Sequence, residues 1–476
     1  GDLALSAESM ALSVDRRGAE LAGRVRSGAS WLDINWIEHF GVEAGRRELA
    51  FSGLVQSALL AEQGLDQARR LQGPLGLSGR LTFRGADSVE GVVEADLTEA
   101  ALEIGEIGWR KPAGEPGRLG FVHAPGPGGN VAIRNLDFHG GGLDIAGSLM
   151  ISGAGELLRA DLERARLGGN DLALSLAKMD DGAWRTRIRG ASLDLQPLLE
   201  ADDREGTDLT AFEGAAIDIA VDSLRLRQET ALESFTGDLR IEQGMPVGRA
   251  EGRLNGEAAL TFAADHDGSG WRFDLASANA GLALSAAGLT DAISGGDLSI
   301  GGVAAAPDVI TGVATVSDFT LRETPGFARL LSLASFTGIA EALSGRGLSF
   351  SLAELPFAYR EGRLDVRKGR MVGPSIGLTA EGYYAPQTEQ IRFVGNLIPA
   401  YSISQVLGAI PLLGEILGGD QGLFGVTYVV EGNASDPQVA VNALSALAPG
   451  ILRRMFLAPV DPVESTPPPT GSMQSP

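Results

Sequence analysis

The chain has 476 residues, with 39 basic and 61 acidic side chains, a formal charge of −22, 44% hydrophobic residues and no cysteine. That charge excludes a partner held by contacts to nucleic-acid phosphates, and the missing thiols exclude disulfide scaffolds, thiolate metal sites and thiol catalysis. The apolar content is too high for a disordered chain. Glycine, at 66 residues, is about twice its usual share, aromatics are only 6%, and lysine occurs three times, as Lys111, Lys178 and Lys368. The chain opens Gly1-Asp2-Leu3 without methionine and contains no run of 18 uncharged apolar residues, so it reads as an excised part of a longer protein.

The first strong pattern is helical. Leu54, Ala58, Ala61, Leu65, Ala68 and Leu71 recur every three or four residues and predict a helix over about 52–72, capped by Ser52 and stopped by Gly73-Pro74. Residues 111–130, rich in Pro and Gly, are expected to be loose. From there alternation dominates. Leu143, Ile145, Leu149 and Ile151 oppose Asp144, Ala146 and Ser148, and Leu172, Leu174 and Leu176 oppose Ala173, Ser175 and Ala177. After an acidic, loose stretch at 200–208, Ile217, Ile219 and Val221 oppose Asp218, Ala220 and Asp222, and Trp271, Phe273 and Leu275 oppose Arg272 and Asp274. Each is a strand with one apolar and one wet face. Turn signals separate the strands at Gly168-Gly169-Asn170, Asp180-Asp181-Gly182, Asp265-His266-Asp267-Gly268, Gly295-Gly296-Asp297 and Arg360-Glu361-Gly362. A second helix is expected over 325–343, carrying Phe327, Leu330, Leu331, Ala334 and Leu343. Two more flank Pro411, built on Ile403, Val406, Leu407 and Ile410 and then on Leu413, Ile416 and Leu417. A last helix covers about 443–456, and residues 461–476 form a disordered Pro-rich tail.

The expected class is mainly β: a long, strongly curled antiparallel sheet of about 25 short strands, forming an elongated open groove, with a few short amphipathic helices mostly near the C-terminus. Its segments are 1–110 with the helix at 52–72, a central groove at 111–310, a C-terminal helical region at 311–460 and the tail at 461–476. Two packed sheets would bury the apolar faces equally well. A curled sheet instead leaves a trough whose flexible aliphatic lining suits acyl chains, and frequent glycine permits its kinks.

Catalytic patterns are weak. Gly373-Pro374-Ser375-Ile376-Gly377 matches G-x-S-x-G, yet its surroundings read as strand–turn–strand rather than the strand–turn–helix such a nucleophile needs. His39, His123, His139 and His266 form no metal-binding spacing, and Asp265-His266-Asp267-Gly268 lacks an acid at the twelfth position of a calcium loop, where Ala276 stands. No phosphate-binding loop is present. No enzyme, cofactor or metal is expected.

Several segments taken together resemble the AsmA-like superfamily, YhdP branch. They are Leu97-Thr98-Glu99-Ala100, Gly108-Trp109-Arg110-Lys111-Pro112-Ala113-Gly114, the stretch Leu321 to Phe336, Gly395-Asn396-Leu397-Ile398-Pro399-Ala400-Tyr401, Ile410-Pro411-Leu412-Leu413-Gly414 and Val441 to Gly450. The resemblance spans about residues 90–457. It implies a non-enzymatic protein of a Gram-negative periplasm, anchored in the inner membrane by a segment outside this chain. It also implies a repeating β-groove that carries phospholipid toward the outer membrane. On that reading the groove is lined by Leu143, Ile145, Leu149, Ile151, Leu172, Leu174, Leu176, Ile217, Ile219, Val221, Phe273 and Leu275. Membrane or end-cap contacts are expected from Leu407, Ile410, Leu413, Ile416, Leu417, Ile451, Leu452, Arg453, Arg454 and Phe456. Phospholipid is the expected cargo and a membrane surface the expected partner at the C-terminal end. The alternative is a structural or assembly factor of the envelope with a closed β core.

Overall fold

The computed structural model describes residues 6–41, 45–62, 70–85, 88–105, 108–197, 213–227, 230–266, 270–322, 325–333, 347–399 and 426–442. The chain is mainly β, and 25 of its strands share one hydrogen-bonded sheet. It divides into two compact units, Gly1–Asp194 with Ala215–Asp222, and Leu195–Gly214 with Ser223–Pro476.

In the first unit each strand pairs antiparallel with the next strand of the sheet. The order is Ser6–Val14, Gly18–Ser27, Ser30–His39, Arg46–Gln56, Pro74–Arg84, Ser88–Asp96, Gly117–Pro125, Val131–Gly140, Leu143–Ile151, Leu157–Leu167, Asn170–Lys178 and Trp184–Asp194. Three short strands, Leu71–Gln72, Ala101–Ile104 and Trp109–Lys111, leave this order and form a small sheet of their own. The second unit repeats the meander through Thr230–Glu242, Met245–Leu254, Ala258–His266, Trp271–Ser277, Ile293–Ala306, Val309–Leu321, Leu348–Arg360, Arg363–Val372, Ile376–Ala385, Gln390–Pro399, Val426–Asn433 and Gln438–Asn442. Hairpins between chain neighbours need only short turns, which the glycine content supplies. At Arg360-Glu361-Gly362, φ is +50° at Glu361 and +74° at Gly362, as such a turn requires.

Several expectations are corrected. The helix expected over 52–72 starts only at Ser57 and is described to Glu62. Ser52, its expected cap, lies in the strand Arg46–Gln56 opposite Ser78. Leu54 fits a helical stripe and a strand equally, and the ladder to Pro74–Arg84 decides for the strand. The segment expected loose at 111–130 contains the strand Gly117–Pro125, bonded on both sides, because Leu119 and Phe121 alternate with Gly120 and Val122 and the prolines fall at or beyond its ends. Gly295-Gly296-Asp297 is no hairpin turn but an irregular point inside the strand Ile293–Ala306, with both glycines at positive φ. A helix at Ala280–Ala286 was not expected. Asn279 caps it, its side chain accepting from the Leu282 amide at 3.1 Å. The helix expected over 325–343 is seen as Pro325–Leu333. The remainder of that helix, the acidic stretch at 200–208, the helices flanking Pro411, the last helix and the tail lie outside the described residues.

Two backbone devices recur. One extra residue enters single strands opposite a regular partner, as between Ile133 and Leu136, Glu233 and Thr236, and Val366 and Gly369. A residue in the left-handed region sits in each: Asn135, Ser234 and Lys368. Such bulges bend and twist a sheet locally. The second device is a mid-strand glycine at which a Cβ would collide with the carbonyl oxygen of the neighbouring strand. Gly147 meets Asp161 this way, Gly190 meets Asp171, Gly382 meets Arg392 and Gly395 meets Thr379.

Glycine also receives the few aromatic rings. Phe51 lies over Gly79, Phe273 over Gly302, Phe357 over Gly312 and Tyr428 over Gly395, each pair directly cross-strand. The ring covers bare backbone and the glycine gains an apolar cover. A Cβ on Gly302 would come within 2.7 Å of Phe273 Cζ and 2.5 Å of the Thr311 carbonyl oxygen. Gly302→Val is therefore expected to destabilise the second unit by about 1–3 kcal/mol through overpacking. Urea unfolding followed by circular dichroism reads this, and an unchanged midpoint would show that Phe273 does not depend on the bare backbone.

Candidate functional site

Register assigns every strand residue to a face, because directly paired residues point to the same side. In the first unit Ile133 pairs with Leu149, Leu149 with Ala160, and Ala160 with Leu176. Leu136 pairs with Gly147, Gly147 with Leu162, Leu162 with Leu174, and Leu174 with Ile188. One face thus stays apolar strand after strand, and the bulges keep it in phase: Ile133 and Leu136, three apart, lie on the same side. The same face begins with Leu21, Ile34, Leu49 and Leu81.

Along mid-strand this face is only half-buried. Ile145, Leu149, Ile151, Leu162, Leu172, Leu174, Leu176, Ile188, Ile217 and Ile219 are neither sealed nor fully exposed. They shield one another within one sheet face. At one set of strand ends the face is closed: Val55, Leu75, Ala95, Leu97, Trp109, Phe138 and Leu143 form a buried cluster. Leu59 and Leu60 of the helix Ser57–Glu62 and Leu71, Leu102 and Ile104 of the small sheet pack on it.

Two residues fasten this cover. Trp109 donates from Nε1 to the Gly141 carbonyl at 2.8 Å and meets Phe138 edge-on, 5.7 Å between centroids. Lys111 is 0% exposed. Its Nζ donates to the carbonyls of Ala100 at 2.8 Å, Glu115 at 2.8 Å, Pro112 at 3.0 Å and Thr98 at 3.5 Å. A buried ammonium is tolerated only when such acceptors replace water, and here they tie two loops together.

The opposite face is an ionic lattice. Arg24 pairs with Asp33 at 2.7 Å, Arg164 with Asp144 at 2.7 Å and Asp137 at 2.9 Å, and Arg189 with Asp218 at 2.6 Å. Hydrogen bonds from Arg24 and Arg189 hold the Asp33 and Asp218 carboxyls below the usual carboxylate range. Asp218 bonding on this side places Ile217 and Ile219 on the apolar side, by alternation along the strand Ala216–Arg227.

The second unit has the same two faces. Phe262 pairs with Leu275 and Leu275 with Ile300, which pairs with Ala314 opposite Leu355. Phe273, Leu275, Ile300, Leu355 and Phe357 are half-buried. Closure again falls at one set of strand ends. Ala280, Leu298, Phe319, Leu330, Leu331, Phe350, Ile376, Leu397 and Ile398 are buried there, several of them from the two helices. Phe319 and Phe350 stack at 5.3 Å. Arg329 holds the helix Pro325–Leu333 to the last hairpin through Asp436 at 2.7 Å and the Pro437 carbonyl at 3.0 Å. Tyr428 donates to the Thr379 carbonyl at 2.7 Å, and burial pushes its hydroxyl pKa up.

The structure brings the sequence-derived groove residues onto one face within each unit. Leu143 and Val221 are buried, at 5% and 4% exposure, and the former belongs to the closed strand ends. Ile145 packs on that closed cluster. Leu149, Ile151, Leu172, Leu174, Leu176, Ile217, Ile219, Phe273 and Leu275 are half-buried on the mid-strand face. Leu407, Ile410, Leu413, Ile416, Leu417, Ile451, Leu452, Arg453, Arg454 and Phe456 lie outside the described residues. Ser375 sits in the turn closed by the Gly373 amide donating to the Ile376 carbonyl at 2.9 Å, as strand–turn–strand reading requires. His39 meets Glu48, His139 meets Asp137 and Asp144, and His123 Nδ1 lies 3.0 Å from the Val89 carbonyl. Among the described residues no group of three His, Asp or Glu is placed to hold a metal ion, and no helix is long and apolar enough to cross a membrane. The closing role of Trp109 and Lys111 was missed, although both stand in one quoted segment.

No family model, curated protein or solved structure matches the chain.

Replacing Lys111 by methionine removes its donor from the Ala100, Pro112 and Glu115 carbonyls, while the Thr98 carbonyl keeps the Gly114 amide. Lys111→Met is expected to destabilise the first unit by about 3 kcal/mol, read as a lower urea midpoint, and an unchanged midpoint would dismiss the cage. The lowered Asp33 and Asp218 pKa values contribute stability that is present above the ordinary carboxylate range and lost as pH falls through it. The melting temperature is expected to hold from pH 7 to about pH 5 and to fall below about pH 4. Arg24→Gln with Arg189→Gln should flatten that fall slightly, as for exposed pairs.

Proposed function

We propose that this chain is a non-enzymatic lipid carrier whose apolar sheet face holds the acyl chains of phospholipid. One observation carries the reading: a register-aligned apolar face that is covered at one set of strand ends and only half-buried along mid-strand. A face meant solely as core meets a second layer along its whole length. The lining is chiefly Leu, Ile and Val, and aromatic rings lie down on cross-strand glycines, which keeps the surface shallow and deformable. On this reading the bulges and glycine kinks, which bend a sheet locally, let it form a groove with the ionic lattice outward.

The AsmA-like resemblance supports the same reading and adds its setting: the periplasm of a Gram-negative bacterium, an inner-membrane anchor outside this chain, and phospholipid transfer toward the outer membrane. The acidic surface disfavours adsorption along its length to anionic lipid. The closed cluster around Trp109 favours the second reading, an assembly factor with a sealed β core.

Mass spectrometry of lipid extracted from the natively purified chain tests the proposal, with co-purified phospholipid as the expected result. Leu174→Glu with Ile219→Glu puts carboxylates on the mid-strand face, where burial beside hydrocarbon costs several kcal/mol. That variant is expected to remain folded by circular dichroism and to lose its lipid. A lipid-free wild-type chain, or a folded double variant that retains lipid, would refute the carrier reading.

A further inference from the structure

The apolar face of the second unit ends, opposite its closed strand ends, in a rim of a different chemistry. Trp271 starts its strand and pairs with Ala304, Ala304 pairs with Ile310, Ile310 with Tyr359, Tyr359 with Leu364, and Leu364 with Tyr384. Register therefore sets Trp271, Tyr359 and Tyr384 on the apolar side at one set of strand ends. Indole and phenol side chains combine an apolar body with a polar tip, the pairing that suits a boundary between hydrocarbon and water.

One buried donor on this rim is unused among the described residues. Trp271 is 5% exposed, and its Nε1 has no hydrogen-bond partner among the described residues. A buried donor left unpaired costs about 1–3 kcal/mol, so each such group calls for a reason. The exposed imidazole of His266 leans on the same indole, 4.9 Å between ring centroids, and is a side chain that can turn toward solvent.

We propose that this rim is the polar-head subsite of the lipid-binding face: the Trp271 N–H and the Tyr359 and Tyr384 hydroxyls receive the ester and phosphodiester oxygens of a phospholipid whose chains lie toward Leu275 and Ile300. The inference rests on the carrier reading and adds to it a fixed orientation of the ligand across the strands. Acceptor oxygens match a set composed of donors. A hydrocarbon without oxygens gains nothing there.

The test compares two probes on the full chain, short-chain phosphatidylglycerol and the hydrocarbon dye diphenylhexatriene. The rim variant is Trp271→Phe with Tyr359→Phe and Tyr384→Phe, which keeps the rings and removes the donors; the face variant is Ile300→Glu. The rim variant is expected to bind phosphatidylglycerol about tenfold more weakly, since each lost bond is worth about 1 kcal/mol at most in a wet rim, and to bind the dye as before. The face variant is expected to lose both. If the rim variant binds both probes like the wild type, or loses both equally while its melting temperature holds, the subsite is refuted and the carrier reading stands. If the folded face variant keeps both probes, the carrier reading fails and the subsite fails with it.

Discussion

Phase is the constraint on which everything else in this protein depends. A strand shows its residues alternately to two sides, so one extra residue exchanges its apolar and polar sets. Across a meander of two dozen strands an uncorrected slip would put leucines among the arginine–aspartate pairs. The bulges at Asn135, Ser234 and Lys368 absorb such residues. Ile133 and Leu136, or Val366 and Gly369, then stand on one side despite an odd spacing. The apolar face and the ionic lattice are two consequences of the same bookkeeping of register.

Glycine makes that face geometrically tolerable. At Gly147, Gly190, Gly382 and Gly395 a neighbouring carbonyl occupies the space of the missing Cβ. At Gly79, Gly302 and Gly312 an aromatic ring does so. The scarcity of aromatics and the abundance of glycine are thus linked, since rings lie on bare backbone instead of standing into a thick core. What is thereby gained is a shallow face.

Closure comes from pieces that leave the meander. In the first unit a short helix and a three-stranded sheet are fastened by the Trp109 indole and the Lys111 ammonium. In the second, the helices Ala280–Ala286 and Pro325–Leu333 gather a buried cluster at one set of strand ends. Each cover is local, which leaves the mid-strand leucines half-buried and the far strand ends to Trp271 and the tyrosines.

The sequence alone determined the class and the two faces. Alternations such as Leu172–Leu174–Leu176 against Ala173–Ser175–Ala177 encode a strand within a few residues, and turn residues such as Glu361-Gly362 encode its end. These are local interactions, so they are legible without partners. Tertiary pairing decided the rest. Leu54 suited a helix as well as a strand until the ladder to Gly76 chose, and Gly295-Gly296 looked like a turn until Phe319 was found opposite. The bulges cannot be read from a single strand, because an extra residue is defined only against its neighbour. Lys111 was visible as one of three lysines, yet the carbonyls that surround it come from Thr98, Ala100, Pro112 and Glu115. The rim at Trp271 was hidden for the same reason: Trp271, Tyr359 and Tyr384 are far apart along the chain, and only successive registers bring their strand ends into one row.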